Sequence, residues 1–263
     1  MKKVLGIGNA LVDVLMRIED ERLLQEFNLP KGSMQLIDMG TAVEIENNTK
    51  DIAREIASGG SAANTINGLA NLGVSCGYIG KVGDDIFGQL FRKDMETRGV
   101  ATSLFTGTVE TGRANTFITK DGERTFGTFL GSAVELSDAD LSKEIFKDYD
   151  YLHIEGYLVF NNQLIERALV LAKECGLKVS LDMASFNVVE ANRDFLNKMV
   201  RKYVDILFAN EEEAKAFTGK EPKEALNEIA EMCEIAVVKI GEKGSLIKSN
   251  GTSCEAGVIR ANC

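Results

Sequence analysis

Two adjacent glycines stand at the centre of the stretch Ser58-Gly59-Gly60-Ser61-Ala62-Ala63-Asn64. Glycine permits a positive φ and lets another molecule approach the backbone closely. Ser61 is predicted to cap the helix that follows, which would place Asn64 in the first turn, where N–H groups and the positive end of the helix dipole lie. The stretch therefore fits a site for a polar ligand, and it fits a tight turn with an ordinary cap equally well.

Small or polar residues follow the strands of a predicted parallel sheet. Ligands of open α/β sheets bind outside the carboxyl ends of the strands, where such residues leave space and supply hydrogen bonds. Any one of them would also suit a helix cap, but six together predict a long cleft along this edge. These strand ends are Gly8-Asn9, Gly80, Gly156, Asp182, Asn210 and Gly241.

The composition limits which functions are compatible with the chain. A sequence of 263 residues, 44% of them hydrophobic and 27% charged, is expected to form one α/β domain with its own core. The net charge of −10 argues against binding to nucleic acid or to a membrane surface. Because no stretch is long and apolar enough for a signal peptide or a membrane span, we expect a cytoplasmic protein.

Several catalytic classes lack their residues in this sequence. The five cysteines are scattered, and His153, the only histidine, lies within an apolar strand where a buried structural role is expected. Zinc hydrolases and Cys/His proteases are therefore disfavoured. Gly6-Ile7-Gly8 is only a partial dinucleotide fingerprint, and no nucleotide-binding P-loop motif occurs. The remaining carboxylates, asparagines and glycines suit phosphoryl transfer to a polyol, where positioning and charge stabilisation dominate.

Three antiparallel strands are predicted to join two earlier strands in a small sheet over one edge of the main domain, because these segments show period-two alternation. Its five strands would be Leu11–Ile18, Ser33–Ile37, 102–108, 113–119 and 123–130.

Three further local predictions concern residues near these segments. Asn48–Ala57 is predicted to be helical, because Ile52 and Ile56 would share one face. In the helix after the glycine pair, Asn67 and Asn71 are predicted to face solvent. Arg124 on the last hairpin can face solvent or a ligand, and a surface position is favoured.

These motifs resemble those of the ribokinase-like (PfkB) carbohydrate kinases, and among them the adenosine kinase-like branch, from about Val4 to the end. Gly59-Gly60-Ser61-Ala62-Ala63-Asn64 and Gly80-Lys81-Val82-Gly83-Asp84-Asp85-Ile86-Phe87-Gly88 are similar to the first family signature. Gly8-Asn9-Ala10-Leu11-Val12-Asp13 resembles the acceptor-binding start. Asn210-Glu211-Glu212-Glu213 resembles the Asn-x-x-Glu element, and Lys239-Ile240-Gly241-Glu242-Lys243-Gly244-Ser245 resembles the nucleotide-binding turn.

The resemblance implies a fold. It is a three-layer α/β/α sandwich with a mostly parallel central sheet and a small β-sheet lid. Residues 1–263 would form a single kinase domain, with lid segments at about 11–38 and 101–131. The lid strands could pair with a second lid, because exposed strand edges need covering, and the resemblance leaves open whether the protein is a monomer or such a homodimer.

The resemblance also implies site residues. Asp13 would accept hydrogen bonds from two hydroxyls of a sugar or nucleoside, and Arg124 would approach the transferred phosphate. Asn210 and Glu213 would organise Mg²⁺ through water, since Mg²⁺ keeps much of its hydration. The rest of the acceptor pocket would be Asn9, Gly59, Gly60 and Asn64, and the ATP contacts would be Lys239, Gly241 and Gly244. Lys239 stands where the family usually has threonine.

The family's Gly-Ala-Gly-Asp element does not occur in the sequence, which ends at Ala261-Asn262-Cys263. In the family this element supplies the catalytic base and the amides that hold the transferred phosphate. We therefore hypothesise a C-terminally shortened kinase.

The function implied is ATP-dependent, Mg²⁺-assisted in-line transfer of the γ-phosphate to a hydroxymethyl group of a sugar or ribonucleoside. The alternatives are a ligand-binding or regulatory protein on a kinase scaffold, an inactive shortened kinase, and an NAD-linked oxidoreductase. The acceptor stays open, because Phe117, Phe126 and Phe129 could form the walls of an adenine site or pack within the lid.

Overall fold

The computed structural model describes residues 2–259. They divide into two compact units, which we call the inserted unit (Gly8–Leu136) and the flanking unit (residues up to Ile7 and from Ser137 onward). No helix among residues 2–259 is long and apolar enough to cross a membrane.

Fourteen strands are present in the described part of the chain. They are β1 (Lys3–Ile7), β2 (Leu11–Arg17), β3 (Met34–Leu36), β4 (Arg54–Gly59), β5 (Ser75–Val82), β6 (Ala101–Thr106), β7 (Thr111–Ile118), β8 (Arg124–Gly131), β9 (Tyr151–Glu155), β10 (Lys178–Asp182), β11 (Ile206–Asn210), β12 (Ile235–Lys239), β13 (Ser245–Ser249) and β14 (Thr252–Ala256).

The α-helices alternate with these strands through most of the chain. They are α1 (Arg22–Glu26), α2 (Met39–Asn48), α3 (Ser61–Asn71), α4 (Ile86–Thr97), α5 (Lys143–Phe146), α6 (Asn162–Glu174), α7 (Phe186–Ala191), α8 (Arg193–Tyr203), α9 (Glu211–Thr218) and α10 (Pro222–Ile229).

In the flanking unit, seven strands lie in the order β14-β13-β12-β11-β10-β9-β1. The neighbouring strands β1, β9, β10, β11 and β12 pair in parallel, and β13 and β14 add an antiparallel hairpin. The carboxyl ends of β9 to β12 therefore meet at one edge, as the strand-end pattern predicted. Helix α6 packs an apolar stripe inward, with Leu164, Ile165, Ala168 and Leu169 all buried.

The inserted unit contains a five-stranded sheet, which we call the small sheet, in the order β3-β8-β7-β2-β4. Four of its strands were predicted. The prediction for 102–108 was wrong, because β6 pairs in parallel with β5 and not with the small sheet. Alternation alone therefore does not decide which strand this segment pairs with.

The place of that fifth strand is taken by β4, which pairs antiparallel with β2. The helix predicted over Asn48–Ala57 was therefore wrong: α2 ends at Asn48 and the chain is extended from Arg54. The spacing of Ile52 and Ile56 suits a helix, but pairing along the whole of β2 outweighs this local preference.

Asp85 joins the start of helix α4 to the start of strand β7. Its Oδ1 accepts hydrogen bonds from the Gly88 N–H at 2.8 Å and from Thr111 Oγ1 at 2.7 Å. Its Oδ2 accepts from the Thr111 N–H at 2.7 Å. Asp85 therefore caps helix α4, and the same carboxylate also anchors the small sheet.

We expect Asp85→Ala to lower the free energy of unfolding by about 2–4 kcal/mol, because a cap and two further charge-assisted hydrogen bonds are lost. Urea unfolding of the variant measures this. Asp84→Ala is the matched control, since Asp84 is the exposed neighbour, and should change stability by less than about 0.5 kcal/mol. Equal losses in both variants would contradict this role of Asp85.

Candidate functional site

The Gly-Gly turn (Gly59–Gly60) connects strand β4 to helix α3. Gly60 has a φ of 95° and is itself the residue preceding the helix, without a side-chain cap. The prediction that Ser61 caps the helix was wrong, because the positive φ of Gly60 turns the chain so that the helix begins at Ser61. The N–H of Asn64 donates to the Gly60 carbonyl at 2.9 Å, within the first turn of the helix.

Both glycines are in close contact with residues from strand β2 and the segment before it. A Cβ atom at Gly59 would collide with the carboxylate of Asp13, and one at Gly60 would collide with the carbonyl oxygen of Asn9. Asn9 is buried. The structure therefore brings together four of the predicted acceptor residues, and only glycine fits at these two positions.

Asp13 carries the one carboxyl group among these four residues, and the pKa of this carboxyl is shifted. Burial raises the pKa of Asp13 to about 6, while a hydrogen bond from the Asn64 side chain and the charge of Arg124 act in the opposite direction. Asn64, predicted in the same pocket, therefore interacts with Asp13, and so does Arg124. Arg124 is exposed, as favoured from the sequence, yet its charge acts on Asp13.

The strand register places Asp13 on a defined face of the small sheet. Directly paired residues share a face, and Asp13 forms a row with Ala57, Ala114, Thr128 and Leu36.

The same face continues along strand β8. Phe126 and Arg124 lie there, because they are two and four residues from Thr128. Phe117 and Phe129 point to the opposite face, where Phe117 is fully buried and Phe129 lies 5.9 Å from the Arg113 guanidinium. Of the three aromatic residues considered, only Phe126 shares the face of Asp13.

An apolar cavity of about 500 Å³ opens beside this row. Its size is within the range that is typical of small-molecule sites. Leu36 and Thr128 belong both to the cavity wall and to the row of Asp13. The other lining residues are Ile37, Met39, Val109, Phe129, Leu130, Gly131, Val134 and Glu135.

A second polar group lies at the strand ends of the flanking unit. Strands β10, β11 and β12 end in Asp182, Asn210 and Lys239. Lys239 Nζ lies 3.0 Å from Asp182 Oδ2, so the unusual lysine is held by an ion pair across strand β11. Ala184, two residues beyond Asp182, has a φ of 67°, which is strained for a residue with a side chain.

Asn210 and Glu213 form a reciprocal capping box at the start of helix α9. The Asn210 N–H donates to Glu213 Oε2 at 2.7 Å, its side-chain amide donates to Oε1 at 2.8 Å, and the Glu213 N–H donates to Asn210 Oδ1 at 2.8 Å. Burial raises the pKa of Glu213, and the charge of Asp182 raises it further, while Lys239 lowers it. The site thus holds two coupled carboxylates.

These residues fit water-mediated binding of Mg²⁺ better than direct coordination. Among residues 2–259 no group of three or more His, Cys, Asp or Glu side chains is arranged to hold a metal ion. Each Glu213 oxygen keeps a lone pair that could accept from metal-bound water, and a cation would relieve the repulsion between Glu213 and Asp182.

The turn after strand β12 contains both predicted nucleotide-contacting glycines. Gly241 and Gly244 have φ values of 56° and 98°. A Cβ at Gly244 would collide with the Ala256 carbonyl, so the shape of the turn by itself requires glycine there. Nothing within 4 Å would obstruct a side chain at Gly241.

Some residues near these groups were missed or misassigned from the sequence. Glu155 pairs with Asp182 on the neighbouring strand. Burial raises the pKa of Tyr157, and the nearby charges of Glu155, Glu213 and Asp182 raise it further. The place of Glu155 and Tyr157 on either side of the predicted strand end Gly156 was the available signal. The prediction that Asn67 faces solvent was wrong, because it is buried on the Ser58 hydroxyl. His153 is buried beside Ser180 Oγ at 3.1 Å, as expected.

Comparison with known proteins now identifies the family. Residues 32–261 match the profile described as pfkB family carbohydrate kinase. The chain belongs to this family. Guanosine-inosine kinase from Escherichia coli K12 is 27% identical over 233 residues, which cover 82% of this chain and 53% of that protein. The chain thus spans about half the length of that curated relative.

Two solved kinase structures are similar to this fold. Adenosine kinase from Sinorhizobium meliloti superposes with a TM-score of 0.88 at 32% identity, covering 100% of this chain and 81% of that one. A probable sugar kinase from Rhizobium etli CFN 42 also gives 0.88, at 33% identity, with 98% and 80% covered. The expected ribokinase-like α/β fold, with a mostly parallel large sheet and a second smaller sheet, is confirmed.

The raised pKa of Asp13 predicts how stability depends on pH. Folding disfavours the ionised form of Asp13, and this cost is present at neutral pH and disappears as the pH falls from about 6 toward 3.8. We expect Asp13→Asn, which keeps an oxygen for Asn64, to raise the free energy of unfolding by about 2–3 kcal/mol at neutral pH.

Urea unfolding at several pH values measures this difference. The gain of Asp13→Asn should shrink to zero in acid, whereas Asp84→Asn at an exposed position should show no such gain. A loss of stability at neutral pH would show that Asp13 is not disfavoured as an anion.

Proposed function

We propose that this pfkB-family protein catalyses transfer of the γ-phosphate of ATP to a hydroxymethyl group of a ribonucleoside. The observation that carries the proposal is the buried Asp13 carboxylate, which lies against the Gly-Gly turn together with Asn64 and Arg124. A carboxylate in this position fits the task of accepting hydrogen bonds from an acceptor that brings its own hydroxyl donors.

The raised pKa of Asp13 supports a ligand with two hydroxyl groups. Burial withholds water from this carboxylate, which therefore lacks part of the hydrogen bonding that an ion needs. Vicinal hydroxyls of a ribose ring would donate to it and stabilise its charged form. Asn9, Gly59, Gly60 and Asn64 would form the remainder of this subsite.

The small sheet supports a nucleoside in preference to a free sugar. The row of Asp13 continues through Ala114 and Thr128 to Leu36, and the apolar cavity lies at its far end. A flat base attached to the ribose would extend along this row. The names of two similar proteins agree with this class: guanosine-inosine kinase, and the adenosine kinase of Schizophyllum commune, which is 25% identical over 236 residues.

The nucleotide would bind at the strand ends of the flanking unit. Lys239 would supply a positive charge for the phosphates, and the turn with Gly241 and Gly244 would let ATP lie close to the backbone. Asn210 and Glu213 would hold Mg²⁺ through water, and the ion would neutralise charge on the phosphates. Arg124 would stabilise charge on the phosphoryl group during in-line transfer.

The experiment is an acceptor screen on the protein expressed from its complete gene, with ADP formation as the readout. We expect ADP to form with adenosine, guanosine or inosine and not with ribose or fructose. Failure with all these acceptors would overturn the proposal. Tight nucleoside binding without ADP would favour a ligand-binding or regulatory protein instead.

Gly60→Val provides a variant for the same assay. Its side chain would collide with the Asn9 carbonyl and distort the turn. We expect calorimetry to show loss of nucleoside binding with ATP binding retained. Loss of ATP binding alone would show that the Gly-Gly turn holds the nucleotide.

We also propose a cytoplasmic homodimer formed through the small sheet. Strand β3 is an edge strand, and Met34 and Leu36 on it are 42% and 64% exposed. Such an edge favours pairing with a second copy. Sedimentation should show a dimer that Leu36→Lys converts to a monomer, and a monomeric wild-type protein would rule the dimer out.

A further inference from the structure

A buried polar network lies behind the Gly-Gly turn, and Ser58 is its centre. Ser58 Oγ donates to Asp94 Oδ2 at 2.6 Å, and the Ser58 N–H donates to the same oxygen at 3.0 Å. The side-chain amide of Asn67 donates to Ser58 Oγ at 3.1 Å. One carboxylate oxygen therefore holds the residue before the turn by both its backbone and its side chain.

The network joins three elements that surround the turn. Ser58 lies near the end of strand β4, Asn67 lies on helix α3, and Asp94 lies on helix α4. Ser58 and Asn67 are 5% and 8% exposed. Although burial alone would raise the pKa of Asp94, the hydrogen bonds from Ser58 hold this pKa below its ordinary value. An anionic acceptor makes these bonds stronger than bonds between neutral groups.

Strand β4 needs such support because it is an edge strand, which only β2 pairs with. Gly59 has no side chain that could anchor it, yet its backbone lies directly on the Asp13 carboxylate. Side chains alternate along a strand, so Ser58 points to the face opposite Ala57, which shares the face of Asp13. Asp94 therefore acts from the far side of the strand and does not touch Asp13.

We propose that Asp94 is a positioning residue of the acceptor site, which acts through Ser58 to press Gly59 against Asp13. The link to the acceptor rests on the proposed function, whereas the mechanical coupling of Asp94 to Asp13 does not. Without the network, Gly59 can move away from Asp13 and water can reach its carboxylate. The other groups that face Asp13 are Asn64 from helix α3 and Arg124 from strand β8, and neither bonds to Asp94.

The test titrates the Asp13 carboxyl by ¹³C NMR in wild type, Asp94→Ala and Ser58→Ala, and measures adenosine and ATP affinity by calorimetry. Hydration should lower the pKa of Asp13 from about 6 in both variants, by about one unit. Adenosine affinity should fall about tenfold, as for loss of a charge-assisted hydrogen bond, with ATP affinity unchanged. Ser58→Ala keeps the Asp94 charge, so its shift reports the network and not a lost charge.

Arg98→Ala is the matched control, because Arg98 pairs with the outer oxygen of Asp94 at 3.3 Å and leaves Ser58 untouched. It should change neither the pKa of Asp13 nor adenosine affinity. An Asp94→Ala protein that melts cooperatively but keeps both wild-type values would overturn the proposal, because this variant loses the bonds from both the hydroxyl and the N–H of Ser58. If wild type binds none of adenosine, guanosine and inosine while the pKa of Asp13 still moves in the variants, the positioning role stands and the proposed function fails.

Discussion

The close contact between the Gly-Gly turn and the Asp13 carboxylate is the constraint on which the acceptor site depends. No side chain fits at Gly59, because a Cβ would occupy the space of that carboxylate, and Gly60 adopts a positive φ against the Asn9 carbonyl. The contact excludes water from one side of Asp13 and so raises its pKa to about 6. The buried charge of Asp13 lowers the stability of the fold, and a bound ligand could restore that stability. Such a cost is typical of a ligand-binding site and not of a hydrophobic core.

The flanking unit also has carboxylates that are not fully exposed, at the ends of its strands. At its strand ends the negative charges are already partnered, Asp182 by Lys239 and Glu213 by the amide groups of Asn210. A bound nucleotide and its metal ion would therefore replace partners that these carboxylates already have. The lysine at position 239 adds a fixed positive charge at a position where the sequence resemblance leads one to expect a neutral hydroxyl.

The sequence was most informative where one local rule decides the structure. The parallel strands follow from periodicity and from the residues at the strand ends, whereas the partnership of Asn9, Asp13, Gly60 and Asn64 was implied by the family resemblance. The sequence was misleading where pairing with a strand from elsewhere in the chain decides the structure. Strand β4 carries helical spacing but completes the small sheet beside β2, and β6 alternates like a small-sheet strand but pairs with β5. Asn67 lies on a polar stripe, and only the position of Ser58 shows that it is buried.

We propose that the acceptor binds at the Gly-Gly turn and the nucleotide at the turn after strand β12. The most direct measurement is a ¹⁵N–¹H correlation spectrum of glycine-labelled protein titrated separately with adenosine and with ADP and Mg²⁺. We predict that adenosine shifts the amide signals of Gly59 and Gly60, and that ADP shifts those of Gly241 and Gly244. Shifts of the Gly59 and Gly60 signals with ADP, or no shift of these signals with adenosine, guanosine or inosine, would contradict these assignments.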